Sequence, residues 1–391
     1  MGQYHDARSG QVEGPDEVSF GSLRRQGIWR TCWVLAVGAA LIVVVAITAV
    51  GHGKKPPAGP VIVTGAGHRL LGVTAGWELF GRGPRQVVRI QLADGRLTRT
   101  AVPPVQSTGP VFFVVGPGQV IIRPLDSVPG YLVPDGHPAR SLPALFSQGE
   151  VLVPGPSPRQ VWVQAGSGGH LSVSLARVDG TQTGVFIRLP AGGPWLITPD
   201  GRGYLLLYGP GSFYDARPGV LRRISGTVTA VGPTRWLVTE CHGRCSNVVV
   251  DPASGARHIL PGPPVDSAAP AGVIAPDGSK AAVVRISATG LATLHLLNLA
   301  SGADQRLTVP LAQGGPGLQT LAWSPDSQWL FAVAAHGKLV AINADTGHIQ
   351  GVGIPLPPIS QIAIRSSPHQ SHHATPRTLV LPGTGIVART W

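Results

Sequence analysis

The feature that most constrains the fold is a short unit that recurs along the chain at intervals of 34 to 50 residues. Its clearest copy, Leu318–Gln350, reads as three strands separated by the turns Ser324-Pro325-Asp326-Ser327 and Asp345-Thr346-Gly347. Proline presets φ in the first turn, and the aspartate can cap it. Looser copies occur along the rest of the chain. Together with the clearest copy they are anchored on the equivalent first turn at Ala66, Gly116, Ser157, Thr198, Gly232, Ala275, Ser324 and Ser367.

A second turn recurs after the third strand of several copies, and a short fourth strand follows it. Four short strands in roughly 40–45 residues are typical of a β-propeller blade, which buries its two faces against neighbouring blades. The 53 glycines and 38 prolines also favour short strands over long helices. We therefore predict an all-β propeller over residues 61–391, with seven blades expected and six to eight allowed. A β-sandwich or a pair of small β domains would explain the strands but not their spacing.

The blade count depends on two irregular units. The Thr198–Gly232 unit is the shortest and is expected to lack a strand, so that eight anchors correspond to seven blades. The last unit is expected to end after a third strand at Gly385–Thr390. An N-terminal strand such as Val61–Thr64 could then close the ring and cover its free sheet edges.

An uncharged apolar run, Thr31–Val50, precedes the repeats. A helix of that length spans roughly 30 Å, the thickness of the hydrocarbon core of a bilayer. We predict a transmembrane helix over residues 31–50, a disordered tail over 1–30 and a Pro/Gly linker over 51–60. A cleaved signal peptide is the alternative, since Ala49-Val50-Gly51 resembles a cleavage site.

The orientation of this segment is not decided by the nearest basic residues, because three flank it on each side: Arg24, Arg25 and Arg30, and Lys54, Lys55 and Arg69. A short tail before a single span, together with a cysteine pair in the large domain, favours a cytoplasmic N-terminus and an extracytoplasmic large domain. The predicted location is the cell membrane, with one pass.

The formal net charge is +12, and the basic excess lies after residue 30. A basic surface can attract anionic wall polymers or lipid headgroups. No dense run of Lys and Arg with interleaved aromatic residues occurs in the large domain, so nucleic acid is not an expected partner.

The turn sequences SPDSQW, APDGSK and TPDGRG, followed three strands later by D-x-x-S/T-G turns, resemble those of TolB-type and WD-repeat-like propellers of bacterial envelopes. The resemblance covers Ser157–Gly353, whereas the N-terminal units depart from it. The Gly-His and Trp-Asp pairs of true WD repeats are absent. The resemblance implies protein–protein interaction on a face of the propeller more than catalysis.

The segment Cys241-His242-Gly243-Arg244-Cys245 lies between two predicted strands and is therefore a hairpin tip. Two cysteines four residues apart across a glycine-containing turn can reach disulfide geometry, so we predict a disulfide. A metal site from Cys241, His242 and Cys245 would lack a fourth ligand. A redox dithiol would instead be C-x-x-C opening a helix. His242 and Arg244 would point outward and are the candidate binding residues.

Two further groups are weaker candidates. His369, His372 and His373 could hold a transition metal, but their Ser/Pro-rich surroundings are typical of an exposed loop. The turn aspartates recur with the repeat and are interpreted as turn formers rather than catalytic or calcium-binding residues: Asp200, Asp277, Asp326 and Asp345. No catalytic residue, metal or cofactor is assigned.

No G-x-S-x-G, H-E-x-x-H or phosphate-loop motif occurs. The leading hypothesis is a membrane-anchored binding or scaffolding module at the bacterial cell envelope, with an envelope protein or glycan as its partner. The alternative is an enzyme, a lyase or a glycan-processing activity, with its site in the axial funnel. Acidic or histidine side chains converging from several blades would favour the enzyme, and an apolar or merely basic funnel would favour binding. A sensor signalling to the short tail is a third hypothesis.

Overall fold

The computed structural model describes residues 61–63, 67–105, 107, 110–125, 129–143, 146, 151–165, 172–189, 196–209, 212–265, 272–286, 292–311 and 319–366. The predicted tail, transmembrane segment and linker lie outside these residues, as does segment 367–391 with its three histidines. Among the described residues, none of the helical segments has the length and hydrophobicity of a membrane span. The spanning segment at 31–50 therefore stays a prediction.

The described residues form 29 β-strands in six hydrogen-bonded sheets. The sheet that contains both the first and the last strand, called the closing sheet, has the order β1-β4-β3-β2-β29. Its strands are β1 Val61–Val63, β2 Trp77–Arg82, β3 Gln86–Gln91, β4 Leu97–Ala101 and β29 Gln361–Ser366.

Four sheets are simple four-stranded meanders. Two of them comprise β5 Val111–Gly116, β6 Gln119–Pro124, β7 Tyr131–Pro134 and β8 Arg140–Ser141, then β9 Val151–Pro154, β10 Gln160–Ala165, β11 Ser172–Arg177 and β12 Gln182–Arg188. The third, called the short sheet, comprises β13 Leu196–Pro199, β14 Leu205–Gly209, β15 Ser212–Arg217 and β16 Val220–Ile224. The last comprises β25 Leu321–Trp323, β26 Trp329–Val333, β27 Leu339–Asn343 and β28 Ile349–Gly351.

The remaining sheet has eight strands and joins two meanders. They are β17 Thr227–Val231, β18 Trp236–His242, β19 Arg244–Val250 and β20 Arg257–Leu260, then β21 Gly272–Ile274, β22 Lys280–Ile286, β23 Ala292–Asn298 and β24 Asp304–Leu307. The join is a parallel pairing of β17 with β21. Gly272 permits this approach, since a Cβ there would lie 2.6 Å from the carbonyl oxygen of Ala282 and 2.9 Å from Cβ of Ala230.

The all-β, propeller-like architecture predicted from the repeat is present, but seven separate blades are not. Five sheets are separate blades, and the sixth has the eight strands of two meanders. The prediction missed this because a parallel pairing of only two residues on each strand has no signature in the turn spacing.

Ring closure also differs from the prediction. The last strand, β29, pairs with β2 along its full length, from Trp77–Ser366 to Arg82–Gln361. The N-terminal strand β1 lies in the same sheet but at the opposite edge, where it pairs with β4. Strand β29, the last in the described residues, therefore closes the ring, and β1, the first, covers the outer edge of the closing sheet.

The unit that was expected to lack a strand has all four. Its hairpins are tight: Gly209 pairs with Ser212, and Arg217 pairs with Val220 across Pro218-Gly219. Gly219 has a φ of 73°, a conformation that L side chains rarely adopt and that the second central position of a Pro-Gly type II turn requires. The 34-residue spacing reflects short connections rather than a missing strand.

The core is divided among the contacts between consecutive meanders. Each apolar cluster takes its buried side chains from one meander and the next along the chain. One further cluster joins the last sheet to the closing sheet, where Phe331 of β26 packs with Leu79 of β2. A four-stranded sheet thus buries both of its faces by packing in a closed ring.

Because successive strands are antiparallel, the turns that join first to second and third to fourth strands lie on one face of the ring, the turn face. The second-to-third connections lie on the opposite face, the loop face. On the turn face, Asp251, Asn298 and Asn343 each accept backbone N–H bonds from the residues two and three positions later. The repeated [DN]-x-x-[ST]-G sequence is therefore a side-chain-capped turn.

Candidate functional site

In the closing sheet β29 takes the place of the first strand. The first strands of the meanders lie nearest the axis of the ring, because first strands of neighbouring meanders contact each other. These contacts join β29 to β5, β5 to β9, β9 to β13, β21 to β25 and β25 to β29. In the described structure these seven first strands contain no Asp, Glu or His. Their one charged residue is Arg365, at the turn-face end of β29. The side chains nearest the axis are therefore mostly apolar, and no acid–base pair converges from these strands.

The predicted disulfide joins Cys241 to Cys245. The two residues are cross-strand partners on β18 and β19, and Gly243 between them turns the chain with a φ of 79°. Every residue from Cys241 to Cys245 is exposed. The tip therefore presents His242 and Arg244 to solvent on the loop face, as the sequence predicted, on a hairpin that the disulfide holds closed.

The disulfide bears on the alternative use of these cysteines as metal ligands. A metal ion would need their thiolates, and both sulfurs are bonded to each other. In the part of the chain that the structure describes, no group of three or more His, Cys, Asp and Glu residues could hold a metal ion. His369, His372 and His373 lie outside that part.

A four-charge network at the turn face was missed by the sequence analysis. Glu78 of β2 is 1% exposed and receives Nε of Arg89 at 2.9 Å and Nε of Arg365 at 2.8 Å. Nη2 of Arg365 also lies 2.5 Å from Oδ2 of Asp135, in the next sheet. Arg365 further stacks 4.6 Å above the ring of Phe80 and donates to the carbonyl of Gly116 at 2.5 Å.

This network, called the sealing network, balances its charge internally with two guanidinium and two carboxylate groups. Burial alone would raise the pKa of Glu78, but hydrogen bonds and the charges of Arg89 and Arg365 outweigh it and hold that pKa below its usual range. The network therefore links the closing strand to two sheets. Its role is to hold these strands together through ion pairs.

Asp200, one of the turn aspartates, is fully buried in the first turn of the short sheet. Its Oδ1 accepts the backbone N–H groups of Arg202 at 2.7 Å and Tyr204 at 2.8 Å. Its backbone carbonyl accepts Nε1 of Trp236, from the next meander, at 2.8 Å. Oδ2 is buried without a partner among the described residues, and burial raises the pKa of this carboxyl.

The other turn aspartates divide into two kinds. Asp277 and Asp326 accept backbone N–H groups two residues later, at 2.9 and 3.0 Å, as turn formers should. Asp345 does not: Asn343 caps that turn, and Asp345 instead pairs with Nζ of Lys280 on the neighbouring sheet at 2.7 Å. The turn-former interpretation is thus wrong for Asp345, whose carboxylate bridges two sheets.

A polar cluster between β22, β23 and β24 has the order of a nucleophilic triad. Oγ1 of Thr293 lies 3.1 Å from Nε2 of His295, and Nδ1 of His295 lies 2.8 Å from Oδ1 of Asp304. However, Thr293 lies 3.4 Å from the carbonyl oxygen of Arg285, to which its hydroxyl donates, and Arg285 neutralises Asp304 at 2.9 Å. Since Arg285 also donates to the carbonyl of Pro264 at 2.9 Å, the cluster ties these strands to the preceding connection.

No protein-family model matches the sequence, and no curated protein sequence matches it. Solved structures do share its architecture. The chain is similar to TolB from Acinetobacter baumannii, with a TM-score of 0.43 and 12% identity. The matched region covers 74% of this chain and 66% of the TolB chain, which is just under two thirds of the length of TolB.

The chain is similar in the same way to apo AztD from Citrobacter koseri, with a TM-score of 0.43, 12% identity and coverage of 75% and 98%. It is also similar to the dihydro-heme d1 dehydrogenase NirN, with a TM-score of 0.41, 14% identity and coverage of 80% and 81%. The resemblance to TolB-type propellers predicted from the turn motifs thus lies in the fold. At these identities and TM-scores it carries no information on activity.

Proposed function

We propose that this chain is a non-catalytic binding module, a seven-bladed propeller held outside a bacterial cell membrane by residues 31–50. The observation that carries the proposal is the composition of the first strands around the axis, which have no acidic or histidine residue in the described structure. Hydrolases and lyases need proton donors and acceptors within hydrogen-bond reach of one substrate. An apolar axis favours binding.

Seven blades follow if the eight-stranded sheet is counted as two. Its two meanders each have four antiparallel strands and share an apolar cluster of their own, like the other neighbours. Seven such clusters lie between consecutive meanders and close the circuit. The short parallel pairing of β17 and β21 then joins two blades near the axis.

The surface that we assign to the partner is the hairpin tip at Cys241–Cys245. Binding to a mobile loop costs conformational entropy, and a disulfide lowers that cost by holding the loop in one arrangement. The tip carries His242 and Arg244, with no carboxylate between the cysteines. This chemistry suits an anionic or hydrogen-bonding group on an envelope protein or glycan, the expected partner class.

The membrane anchor rests on the sequence alone. The uncharged segment at 31–50 matches the hydrocarbon thickness of a bilayer, and the disulfide agrees with an oxidising, extracytoplasmic compartment. A membrane location would keep the propeller within about 35 Å of the lipid surface, because a ten-residue linker reaches no further.

The test is site-specific photocrosslinking in cells with the full-length membrane protein. A photoreactive amino acid at Arg244 should capture an envelope component, whereas the same probe at Asp94, an exposed residue on the turn face, should not. Loss of capture in the His242→Ala variant, with the disulfide intact, would assign the contact to the tip. Equal capture at both probe positions would overturn the assignment.

Location has a separate test. Protease added to intact cells should degrade the propeller if it lies outside, and leave it intact if the large domain is cytoplasmic. Complete protection of the large domain would overturn the proposed topology without bearing on whether the tip binds a partner.

A further inference from the structure

The outer edges of the sheets differ in how they are protected. The outer strand of the closing sheet is covered by β1, and β8 and β28 are only two and three residues long. β20 and β24 have four residues each, and both carry groups engaged by neighbours, Arg257 with Glu240 and Asp304 with Arg285. The outer strand β12 is longer, but its pairing with β11 contains a register shift, which interrupts a straight edge.

The edge strand β16 has none of these protections. It pairs with β15 in a continuous register from Ile224 to Val220, and its other side has no partner strand in the described structure. Four of its five residues are exposed. An exposed, straight and partly apolar edge strand presents unpaired N–H and C=O groups at alternate positions, ready to pair with another strand.

The side chains of this edge carry one sign of charge. Val220 is 51% exposed and Leu221 44% exposed. Arg222 and Arg223 follow them, and neither forms an ion pair with any residue that the structure describes. On the adjacent outer strand, Phe186 is 57% exposed beside an exposed Arg188. Neither β12 nor β16 contains an acidic residue.

We propose that β16 binds an extended acidic segment of a partner protein by β-strand addition, with two consecutive acidic residues opposite Arg222 and Arg223 and apolar residues opposite Leu221 and Val220. Main-chain hydrogen bonds would supply affinity, and the alternating side chains would supply specificity. In an antiparallel pairing, the partner segment would have the sequence x-[DE]-[DE] followed by two apolar residues, from its N-terminal to its C-terminal end.

Charge argues against a second copy as the occupant. The antiparallel register that pairs all five residues of β16 with the same strand of another copy would set Arg222 opposite itself. Like charges directly opposite each other destabilise a strand pair. An acidic segment would instead neutralise both guanidinium groups, so complementarity favours a different chain.

The test uses the full-length protein in nanodiscs and a fluorescent peptide, Thr-Glu-Glu-Val-Val, extended by glycines at both ends. We expect saturable binding, measured by anisotropy, which the double variant Arg222→Glu/Arg223→Glu weakens by at least about tenfold. The matched control is Arg306→Glu, an exposed arginine on the outer strand β24, which should leave binding unchanged.

Two further peptides separate strand addition from simple charge attraction. N-methylation at alternate residues removes the donors needed for main-chain pairing while keeping both charges, and it should abolish binding. A scrambled peptide of the same composition should bind at least about tenfold more weakly. Binding of the methylated or the scrambled peptide as tight as that of the original would overturn the proposal, as would no saturable binding of the original.

The hairpin tip and this edge lie on different sheets, so the tests are independent. If the Arg244 probe captures a partner and the peptide does not bind, only the edge proposal fails. The opposite result would leave β16 as the binding surface and remove the tip.

Discussion

The closing sheet and the short sheet are both built around a four-stranded meander, yet they differ in two respects: whether the outer sheet edge is covered, and whether the buried carboxylate has a charged partner. In the closing sheet β29 and β1 occupy the two edges, and the sealing network places four charges at its junction with the next sheet. In the short sheet the outer edge is open and the buried carboxylate of Asp200 has backbone partners only. The sheet that holds both ends of the ring is thus joined to the next sheet by ion pairs as well as by apolar packing.

Two of the buried carboxylates, Glu78 and Asp200, show the same contrast in their pKa values. Both Glu78 and Asp200 lose hydration, but Glu78 gains two guanidinium partners while Asp200 gains none that outweigh burial. The pKa of Glu78 is therefore lowered and that of Asp200 is raised. Ionised Glu78 stabilises the fold, whereas ionised Asp200 destabilises it.

The largest effect is expected from Glu78→Gln. The substitution would leave Arg89 and Arg365 without the carboxylate they share, and breaking a buried pair on one side costs about 3–5 kcal/mol. Urea unfolding at pH 7 should show this loss in the free energy of unfolding. Asp94→Asn in the same sheet is the control, because its ion pair with Arg96 is exposed, and that substitution should cost under about 1 kcal/mol.

The same variant gives a pH test with a defined sign. Since the folded-state pKa of Glu78 lies below the unfolded value of 4.5, its stabilisation is present above that pH and is lost as the pH falls through the folded-state value. The stability difference between wild type and Glu78→Gln should therefore be largest near neutrality and shrink in acid. A difference that does not change with pH would mean that the side chain acts through shape alone.

Opening the outer edge of the closing sheet should make it resemble the short sheet. Prolines at Ile62 and Val63 would remove the one N–H group of these two residues that faces β4, since alternate residues of a strand face its neighbour, and would break the pairing of β1 with β4. Two or three lost hydrogen bonds correspond to about 1–3 kcal/mol. Size-exclusion chromatography should then show increased self-association through β4. An unchanged elution profile would show that an uncovered edge is not by itself adhesive in this protein.

Much of this contrast could not be read from the sequence, and the reasons are physical. The repeated turns identified the fold because each turn is local and its residues cap it directly, as Asp277 and Asp326 do. The disulfide was predictable because its two cysteines are four residues apart. Glu78 and Arg365 are 287 residues apart, so no local pattern could pair them.

Other errors came from reading residue types rather than turn positions. Asp345 was interpreted as a turn former because it is the aspartate of its turn, although Asn343 holds the capping position. Aligning the turn on Asp251, whose glycine follows four residues later, would have identified both Asn298 and Asn343. The open edge of β16 was missed because pairing at a sheet edge depends on which strands lie side by side.

A smaller effect is expected from Trp236→Phe at the junction of the short sheet. The phenylalanine keeps most of the apolar contact but removes the Nε1–H that bonds the carbonyl of Asp200 at 2.8 Å. An unsatisfied buried carbonyl costs about 1–3 kcal/mol, and the smaller ring adds to this. Trp329→Phe is the control, because no described residue accepts a hydrogen bond from its indole. Equal losses in the two variants would assign the effect to ring volume.

The smallest effect, and the one with the opposite sign, is expected from Asp200→Asn. The amide oxygen can still accept the N–H groups of Arg202 and Tyr204, while the buried negative charge disappears. Because the folded-state pKa of Asp200 lies above the unfolded value of 3.8, ionisation opposes folding, and that penalty vanishes below the unfolded value. Asp200→Asn should therefore match or exceed wild-type stability at pH 7, by under about 1 kcal/mol, and lose this advantage in acid. A loss as large as that of Glu78→Gln would show that an unseen cation or ordered donor holds Oδ2, and that the two junctions are sealed by the same kind of interaction after all.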